Sequence, residues 1–268
     1  MLDHSITPHV PSRNRPQGTD REVRLEGAFN IRDLGGLSVG RASRTTRGLL
    51  YRADSLDSLT DSDKQVLFGD LAIGTIIDLR TPEEAGGDGL SDARLFPTLA
   101  VHSLPVIPDG RIGVEPFPVG DAEAVAKLYL EYVVDRGHIV SGVVQAVATS
   151  TLHGVPALFH CAAGRDRTGV VAAVLLTLLG VPDRVVIADY LESNRQADEV
   201  SRRLTLNPLY RDDETAAATG TSLVDPAAIR KFLELFRAEF GSPRVWALAH
   251  GLTAPTLAAL TRTLTTPA

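Results

Sequence analysis

Apolar positions along this chain fall into two kinds of run. Short β-branched blocks occupy the first two thirds, and longer stretches with a three-to-four-residue beat take over toward the C-terminus. Ile73-Gly-Thr-Ile-Ile-Asp-Leu79 is continuously apolar up to Asp78-Leu79-Arg80, which predicts a central strand covered on both faces. Gly48 to Ala53, Ala100 to Val106 and Val155 to Phe159 predict three further short strands. Helical spacing runs from Ala122 to Arg136. It resumes from Ile139 to Thr151, where Val140, Val143, Val144 and Val147 form the stripe of a helix laid on a sheet. Thr168 to Leu179 is apolar nearly all round, so that helix is expected in the middle of the protein.

Punctuation residues sharpen the boundaries. Thr60-Asp61-Ser62-Asp63 is an N-cap cluster ahead of a short helix running toward Gly69, and Pro182 opens a helix from about Asp183 to Val200. Three more helices follow: Pro226 to Phe240, Pro243 to His250 and Ala254 to Leu264. Arg202 to Ser222 breaks the pattern with Pro208, Asp212-Asp213 and an Ala/Thr/Gly run, and reads as a candidate mobile flap. Strands interleaved with helices, then helices alone, predict an α/β fold: a central sheet flanked by helices, with a helical C-terminal layer.

Composition narrows the picture only a little. Lys plus Arg number 27 against 33 Asp plus Glu, a net charge of −6, which argues against generic affinity for nucleic acid or an anionic membrane. No segment reaches the roughly 18 consecutive apolar residues of a spanning helix. Met1 to Asp20 is polar and Pro-rich without an apolar core, unlike a signal peptide, so residues 1–23 are expected to form a flexible lead-in. A cytoplasmic location is the default expectation, with export by a route lacking such a signal left open. The single cysteine excludes an internal disulfide and any cysteine-rich metal site. Oligomeric state is not legible.

That cysteine carries the chemistry. His160-Cys161-Ala162-Ala163-Gly164-Arg165-Asp166-Arg167-Thr168-Gly169 lies between the strand predicted at 155–159 and the helix predicted from Thr168. Inward amides, a helix N-terminus and a guanidinium favour the thiolate at Cys161 and form a cradle for a tetrahedral dianion. Nucleophile and cradle together point to attack on a phosphate ester, with a cysteinyl-phosphate intermediate. In this reading Ala162, Ala163, Gly164 and Arg165 supply cradle groups, and Arg167 grips two phosphate oxygens with its planar fork. Gly164 permits the tight turn and keeps Cβ atoms out of the cradle. His160 is expected to brace the loop, and the Thr168 hydroxyl to reach back toward the sulfur. The bland reading of Cys161 is a small buried hydrophobe; the strand, the glycine and the Thr-Gly that frame it weigh against that.

The leaving oxygen needs a proton donor. Asp166, in the loop, and Asp78, at the carboxyl end of the central strand, are the candidates, with Asp166 preferred. Asp78 has an equal alternative as the cap of the following turn, and Asp166 has one as the ion-pair partner of a neighbouring arginine. Arg32 and Arg80 are expected in structural ion pairs more than on substrate.

The loop resembles the His-Cys-x5-Arg-Thr/Ser-Gly signature of cysteine-dependent protein tyrosine phosphatases. Asn30-Ile-Arg-Asp-Leu-Gly-Gly36, Gly48-Leu-Leu-Tyr-Arg-Ala-Asp54, Thr75-Ile-Ile-Asp-Leu-Arg80 and Asp189-Tyr190-Leu191 with Ser193-Asn194 are similar to blocks of the bacterial, mycobacterial PtpB-type family. The resemblance spans about residue 25 to the C-terminus. It implies one phosphatase domain over residues 24–268, with a mainly parallel sheet of the tyrosine phosphatase kind. It also implies a mechanism without metal or cofactor, phosphotyrosine protein as substrate, and possible action on phosphoserine, phosphothreonine and phosphoinositides. Carried over, Cys161 is the nucleophile, Arg167 the phosphate clamp and Asp166 the acid, and a helical lid corresponds to residues 183–223. Arg165 stands where the family usually has lysine, which bears on the lipid preference and not on the phosphatase chemistry. Two other readings stand beside this one: a phosphoinositide phosphatase, motivated by Arg165 beside Arg167, and a catalytically silent phosphopeptide-binding module.

Overall fold

The computed structural model describes residues 21–86, 99–107, 120–205, 210 and 223–268. A five-stranded sheet organises the chain in the order β1 (Arg32–Asp33), β4 (Leu50–Ala53), β7 (Ala157–His160), β5 (Thr75–Asp78), β6 (Ala100–Ser103). The last four run parallel, and β1 is antiparallel to β4 at one edge. The mainly parallel α/β sheet expected from the sequence is therefore present, and β7, the strand ahead of the cysteine, sits in its middle.

Alternation along these strands divides the core in two. Leu50, Ile77, Ala157 and Phe159 face one layer, and Tyr51, Ala53, Ile76 and Leu158 face the other. This is the period-2 geometry of a strand covered on both sides. On the larger side pack α2 (Ala122–Asp135), α3 (Gly137–Leu152) and α4 (Arg167–Leu178). Val170 to Leu176 of α4 are all buried, as its uniformly apolar sequence predicts. The smaller side is closed by α1 (Asp61–Lys64), whose capping box on Thr60 and Asp63 opens it. Its continuation Gln65–Asp70 winds as a π-helix instead of extending the α-helix.

α5 (Asp183–Leu191) ends in a 3-10 turn, Glu192–Asn194, before α6 (Ala197–Leu204), so the single helix expected over 183–200 is two. The C-terminal layer is α7 (Pro226–Phe240), α8 (Pro243–Ala249) and α9 (Ala254–Leu264). Asp225, Ser242 and Thr253 cap them, each followed by proline in the first turn, where a missing N–H costs nothing. α7 packs along α2, and α9 along α3.

A small antiparallel sheet of β2 (Ser38–Val39), β3 (Ser43–Thr45) and β8 (Thr265–Pro267) ties the C-terminus back to the N-terminal region. The sequence reading missed it, because strands of two or three residues are too short to show alternation. Arg21 to Val23, expected in the lead-in, already belong to the domain: Glu22 bridges to Arg32, and Val23 is buried. The candidate flap lies almost wholly outside the described residues; only Arg202 to Thr205, at the end of α6, and Tyr210 are seen. Among the described residues, no helix is long and apolar enough to cross a membrane.

Candidate active site

β7 delivers Cys161 to the carboxyl edge of the sheet, and Arg167 starts α4, so residues 161–166 form the turn between them. Gly164 has φ +65°, and a Cβ there would meet the Ala53 carbonyl oxygen at 2.5 Å and the Asp54 nitrogen at 2.6 Å. Glycine is therefore demanded by the close approach of β4 outside the loop, together with the left-handed backbone. Several loop carbonyls are held from behind. Asn30 Nδ2 donates to the oxygens of Ala163 and Gly164, both at 3.1 Å, Arg52 Nη2 donates to Gly164 O at 2.8 Å, and Arg203 Nη2 donates to Ala162 O at 2.7 Å. With the carbonyls pulled outward, the amides of Ala162, Ala163, Gly164 and Asp166 donate to no group among the described residues. A peptide unit whose oxygen faces out turns its N–H in, which is how a chain turn makes an anion nest.

The anchors are themselves paired. Asp189 of α5 receives Arg52 at 2.7 Å, Arg21 at 2.7 Å and Arg32 at 3.1 Å. Burial would raise this carboxyl, but the charges of Arg32, Arg52 and Arg21 hold it far below the ordinary carboxylate range. Arg52 is pushed down to about 10, chiefly by burial and by the neighbouring charge of Arg32. Arg203 of α6 also pairs with Asp54 at 3.2 Å.

Arg167 is held by an acid the sequence reading did not single out. Its Nη1 and Nη2 each lie 2.6 Å from an oxygen of Glu84, whose side chain is fully buried. Glu84 also accepts from the Thr81 amide at 2.9 Å and from the Tyr210 hydroxyl. Burial would raise the Glu84 carboxyl; the Arg167 charge and these hydrogen bonds outweigh it and hold it below its ordinary value. Burial lowers and the Glu84 charge raises Arg167, and the balance fixes it firmly as a cation. Guanidinium has five N–H donors. An end-on pair taken by Glu84 leaves Nε–H and the second Nη2 hydrogen side by side for another anion. Cys161, itself buried, belongs to the same electrostatic neighbourhood as Arg167.

Asp166 has a separate set of partners. It accepts from the Tyr129 hydroxyl at Oδ1 and from Arg165 Nε at Oδ2, the latter at 2.9 Å. Tyr129 in turn shares a 2.8 Å hydrogen bond with the Tyr190 hydroxyl. Arg165, Asp166 and Tyr190 line a cavity of about 270 Å³ with Val125, Val224 and Ala228. Arg165, considered in the sequence for a second phosphate, is thus engaged with its neighbour in the chain.

Asp78 is placed otherwise. It accepts from the backbone N–H of Arg80 at 2.9 Å, as the turn cap that was its alternative reading, and from the Arg80 guanidinium at 2.8 Å. Burial would raise it; a charge on His160 and the hydrogen bonds from Arg80 bring it below its ordinary value. Burial, however, drives His160 toward the neutral form, which leaves Arg80 as the standing cation. Arg80 reaches Asp57 at 2.6 Å, so it serves an ion-pair network, as does Arg32. His160 Nε2 stays 3.9 Å from Asp78, and Nδ1 lies 3.4 Å from the Cys161 carbonyl, so its bracing is mainly steric. The Thr168 hydroxyl is buried with no hydrogen-bond partner among the described residues. The expected hydrogen bond to the Cys161 sulfur is therefore not among the contacts of this hydroxyl.

A sequence model of the tyrosine phosphatase family matches residues 23–266. The chain belongs to that family.

The phosphatase is similar to several known proteins. A candidate tyrosine-protein phosphatase of Cupriavidus necator is 28% identical over 203 residues, 72% of this chain and 70% of that one. The triple specificity protein phosphatase PtpB of Mycobacterium tuberculosis is 28% identical over 209 residues, 68% of this chain and 72% of its own. Among solved structures, TpbA of P. aeruginosa aligns over 70% of this chain and 88% of its own, with 16% identity and a TM-score of 0.30.

Of the candidate site, the contiguous part was visible in the sequence: Cys161 and the expected cradle residues form the turn between β7 and α4, and Arg167 opens α4. Glu84, Tyr129, Tyr210 and Arg203 were missed. Glu84 sits in a Pro82-Glu83-Glu84 stretch that reads as solvated loop, Tyr129 falls at an ordinary core position of α2, and Tyr210 lies in the stretch read as a candidate flap. Only Arg52, Asp189 and Asn30 carried a signal, as parts of the blocks that resemble the family.

Proposed function

We propose that this protein tyrosine phosphatase hydrolyses phosphotyrosine in proteins by way of a cysteinyl phosphate on Cys161, with phosphoserine and phosphothreonine as further substrates. The observation that carries the reading is the Arg167–Glu84 pair. It clamps the guanidinium at the start of α4, with its side-on donors beside a loop whose amides at Ala162, Ala163, Gly164 and Asp166 have no partner among the described residues. A phosphate dianion seated there meets charge-assisted donors on its equatorial oxygens and the sulfur below phosphorus.

In the first step the Cys161 thiolate forms the S–P bond as the P–O bond to the phenol breaks, and Asp166 gives its proton to the leaving oxygen. In the second, Asp166 takes a proton from water as that water attacks phosphorus and expels the thiolate. The cradle binds the equatorial oxygens more tightly as charge spreads over them, which lowers the barrier to both steps. The partner at the site is then a phosphoprotein; the net charge of −6 speaks against nucleic acid.

The test uses Cys161→Ser. It is expected to lose turnover of an aryl phosphate by at least about a thousandfold while still binding a phosphotyrosine peptide stoichiometrically. Full activity in that variant would dispose of the covalent route, and binding without turnover in the wild type would make the protein a phosphopeptide-binding module.

A further inference from the structure

The hydroxyls of Tyr129 and Tyr190 form a two-member chain that ends on the carboxyl proposed above as the proton donor. We infer that Tyr129 is a positioning residue for the reaction, one that turns its hydroxyl hydrogen onto Asp166 when that carboxyl ionises and away from it when the carboxyl is neutral. The inference rests on the reading of Asp166 as the acid and base of the two steps.

The geometry sets the argument. Tyr129 is wholly buried in α2, with its ring edge-on to Tyr190 and Phe232, so its oxygen has little freedom to move. That oxygen contacts Asp166 Oδ1 and lies 2.8 Å from the Tyr190 oxygen. A phenol carries one hydrogen and can donate to one of these partners at a time. Burial, the Asp166 charge and the Tyr190 hydroxyl all raise Tyr129 far above its ordinary value, so the phenol keeps its proton throughout. The same holds for Tyr190, raised by burial and by Asp166.

Two settings follow. With Asp166 ionised, Tyr129 donates to Oδ1 and accepts from Tyr190, while Arg165 Nε–H holds Oδ2. With Asp166 neutral, Tyr129 donates to Tyr190 instead, and the carboxyl proton is free to point at the leaving oxygen. No proton leaves either tyrosine. Asp166 loses one to the leaving group in the first step and regains one from water in the second, and the hydroxyl chain reverses each time. A core tyrosine holding only structure would have no reason to place its oxygen on a loop carboxylate 37 residues away that also lines a cavity.

Among the described residues, the titratable and charged groups facing Asp166 are Tyr129 and Tyr132 from α2, Tyr190 from α5, and Arg165 from its own loop. Asp121 and Asp225, the caps of α2 and α7, line the same cavity. Of these, only Tyr129, Tyr190 and Arg165 join the hydrogen-bond chain.

The experiment compares wild type, Tyr129→Phe, Tyr190→Phe, Asp166→Asn and the Tyr129→Phe/Asp166→Asn double variant on aryl phosphates with good and poor leaving groups, from pH 4.5 to 9. Tyr129→Phe removes a donor that turns onto the carboxylate when it is ionised and away from it when it is neutral. In Tyr129→Phe the alkaline limb of the kcat profile is therefore expected to move up by as much as about one pH unit. With poor leaving groups kcat should fall several-fold at pH 6 with KM unchanged, and Tyr190→Phe should show a smaller change of the same sign. In the double variant the tyrosine change should add nothing further.

Should Asp166→Asn leave the leaving-group dependence untouched, the acid reading itself fails. Should Asp166→Asn behave as an acid knock-out while Tyr129→Phe leaves the limb in place, or lowers activity equally for all leaving groups and in the double variant too, the positioning role is refuted alone. Thermal melts of each variant separate a folding defect from either result.

Discussion

Arg167 and Glu84, 83 positions apart in the chain, face each other end-on, with both guanidinium Nη atoms 2.6 Å from a carboxylate oxygen. The pair is buried, and it fixes which donors of the arginine remain for substrate. Lysine cannot reproduce such a fork-to-fork arrangement, because an ammonium offers no planar pair of donors.

Removing Glu84 should therefore harm binding as well as folding. Glu84→Ala leaves a buried guanidinium without its partner, a change that typically costs about 3–5 kcal/mol. Urea unfolding is expected to show a midpoint shift with little change of slope. Phosphate affinity should fall as Arg167 loses its fixed rotamer. A variant with wild-type stability and wild-type KM would contradict the clamp.

The same pair sets an acid limit on stability. Glu84 is held below its ordinary value in the folded protein, so between the unfolded and folded values the unfolded chain binds more protons. The pair's contribution is therefore complete above the ordinary carboxylate range and is lost as pH falls through the folded value. Glu84→Gln should melt well below wild type at pH 7, and that gap should narrow as pH drops toward 3. Melting curves at unit pH intervals read this directly; a gap constant with pH would argue that the carboxylate charge is immaterial.

Asp78 and Asp166 are separable by substitution. Asp78 is tied to Arg80 and kept ionised, which disfavours it as a donor. Asp78→Asn is expected to lower stability and to change kcat equally for good and poor leaving groups. Asp166→Asn should instead slow poor leaving groups by about 10²-fold or more, within the usual range for general acid catalysis. A leaving-group-selective effect from Asp78→Asn would reverse the assignment.

Gly164→Ala tests the loop's backbone. With φ +65° and the Ala53 carbonyl oxygen 2.5 Å from the added carbon, the loop has to move. The substitution should destabilise by more than about 1 kcal/mol and reduce phosphate affinity. Chemical denaturation together with inhibition by inorganic phosphate measures both, and an unaffected Ki would show the cradle to be tolerant.

Much of this was settled by the sequence alone, for one reason: local patterns do not need a partner. Short, largely apolar blocks specified β4, β5 and β7, the apolar length of Val170 to Leu176 placed α4 in the interior, and proline with a preceding cap opened each C-terminal helix. The loop proposed as catalytic was legible because its cysteine, glycine turn and arginine are contiguous, so strand, turn and helix bring them together whatever the rest of the chain does. Packing decided what lies across the sheet. Glu84 reaches Arg167 only because its turn follows β5, next to β7. Tyr129 reaches Asp166 only because α2 and α5 flank α4, and three arginines gather on Asp189 because β1, β4 and α5 meet behind the loop. Such pairings depend on distances between segments far apart in the chain, and a buried charge declares itself only once its counter-charge has been brought within reach.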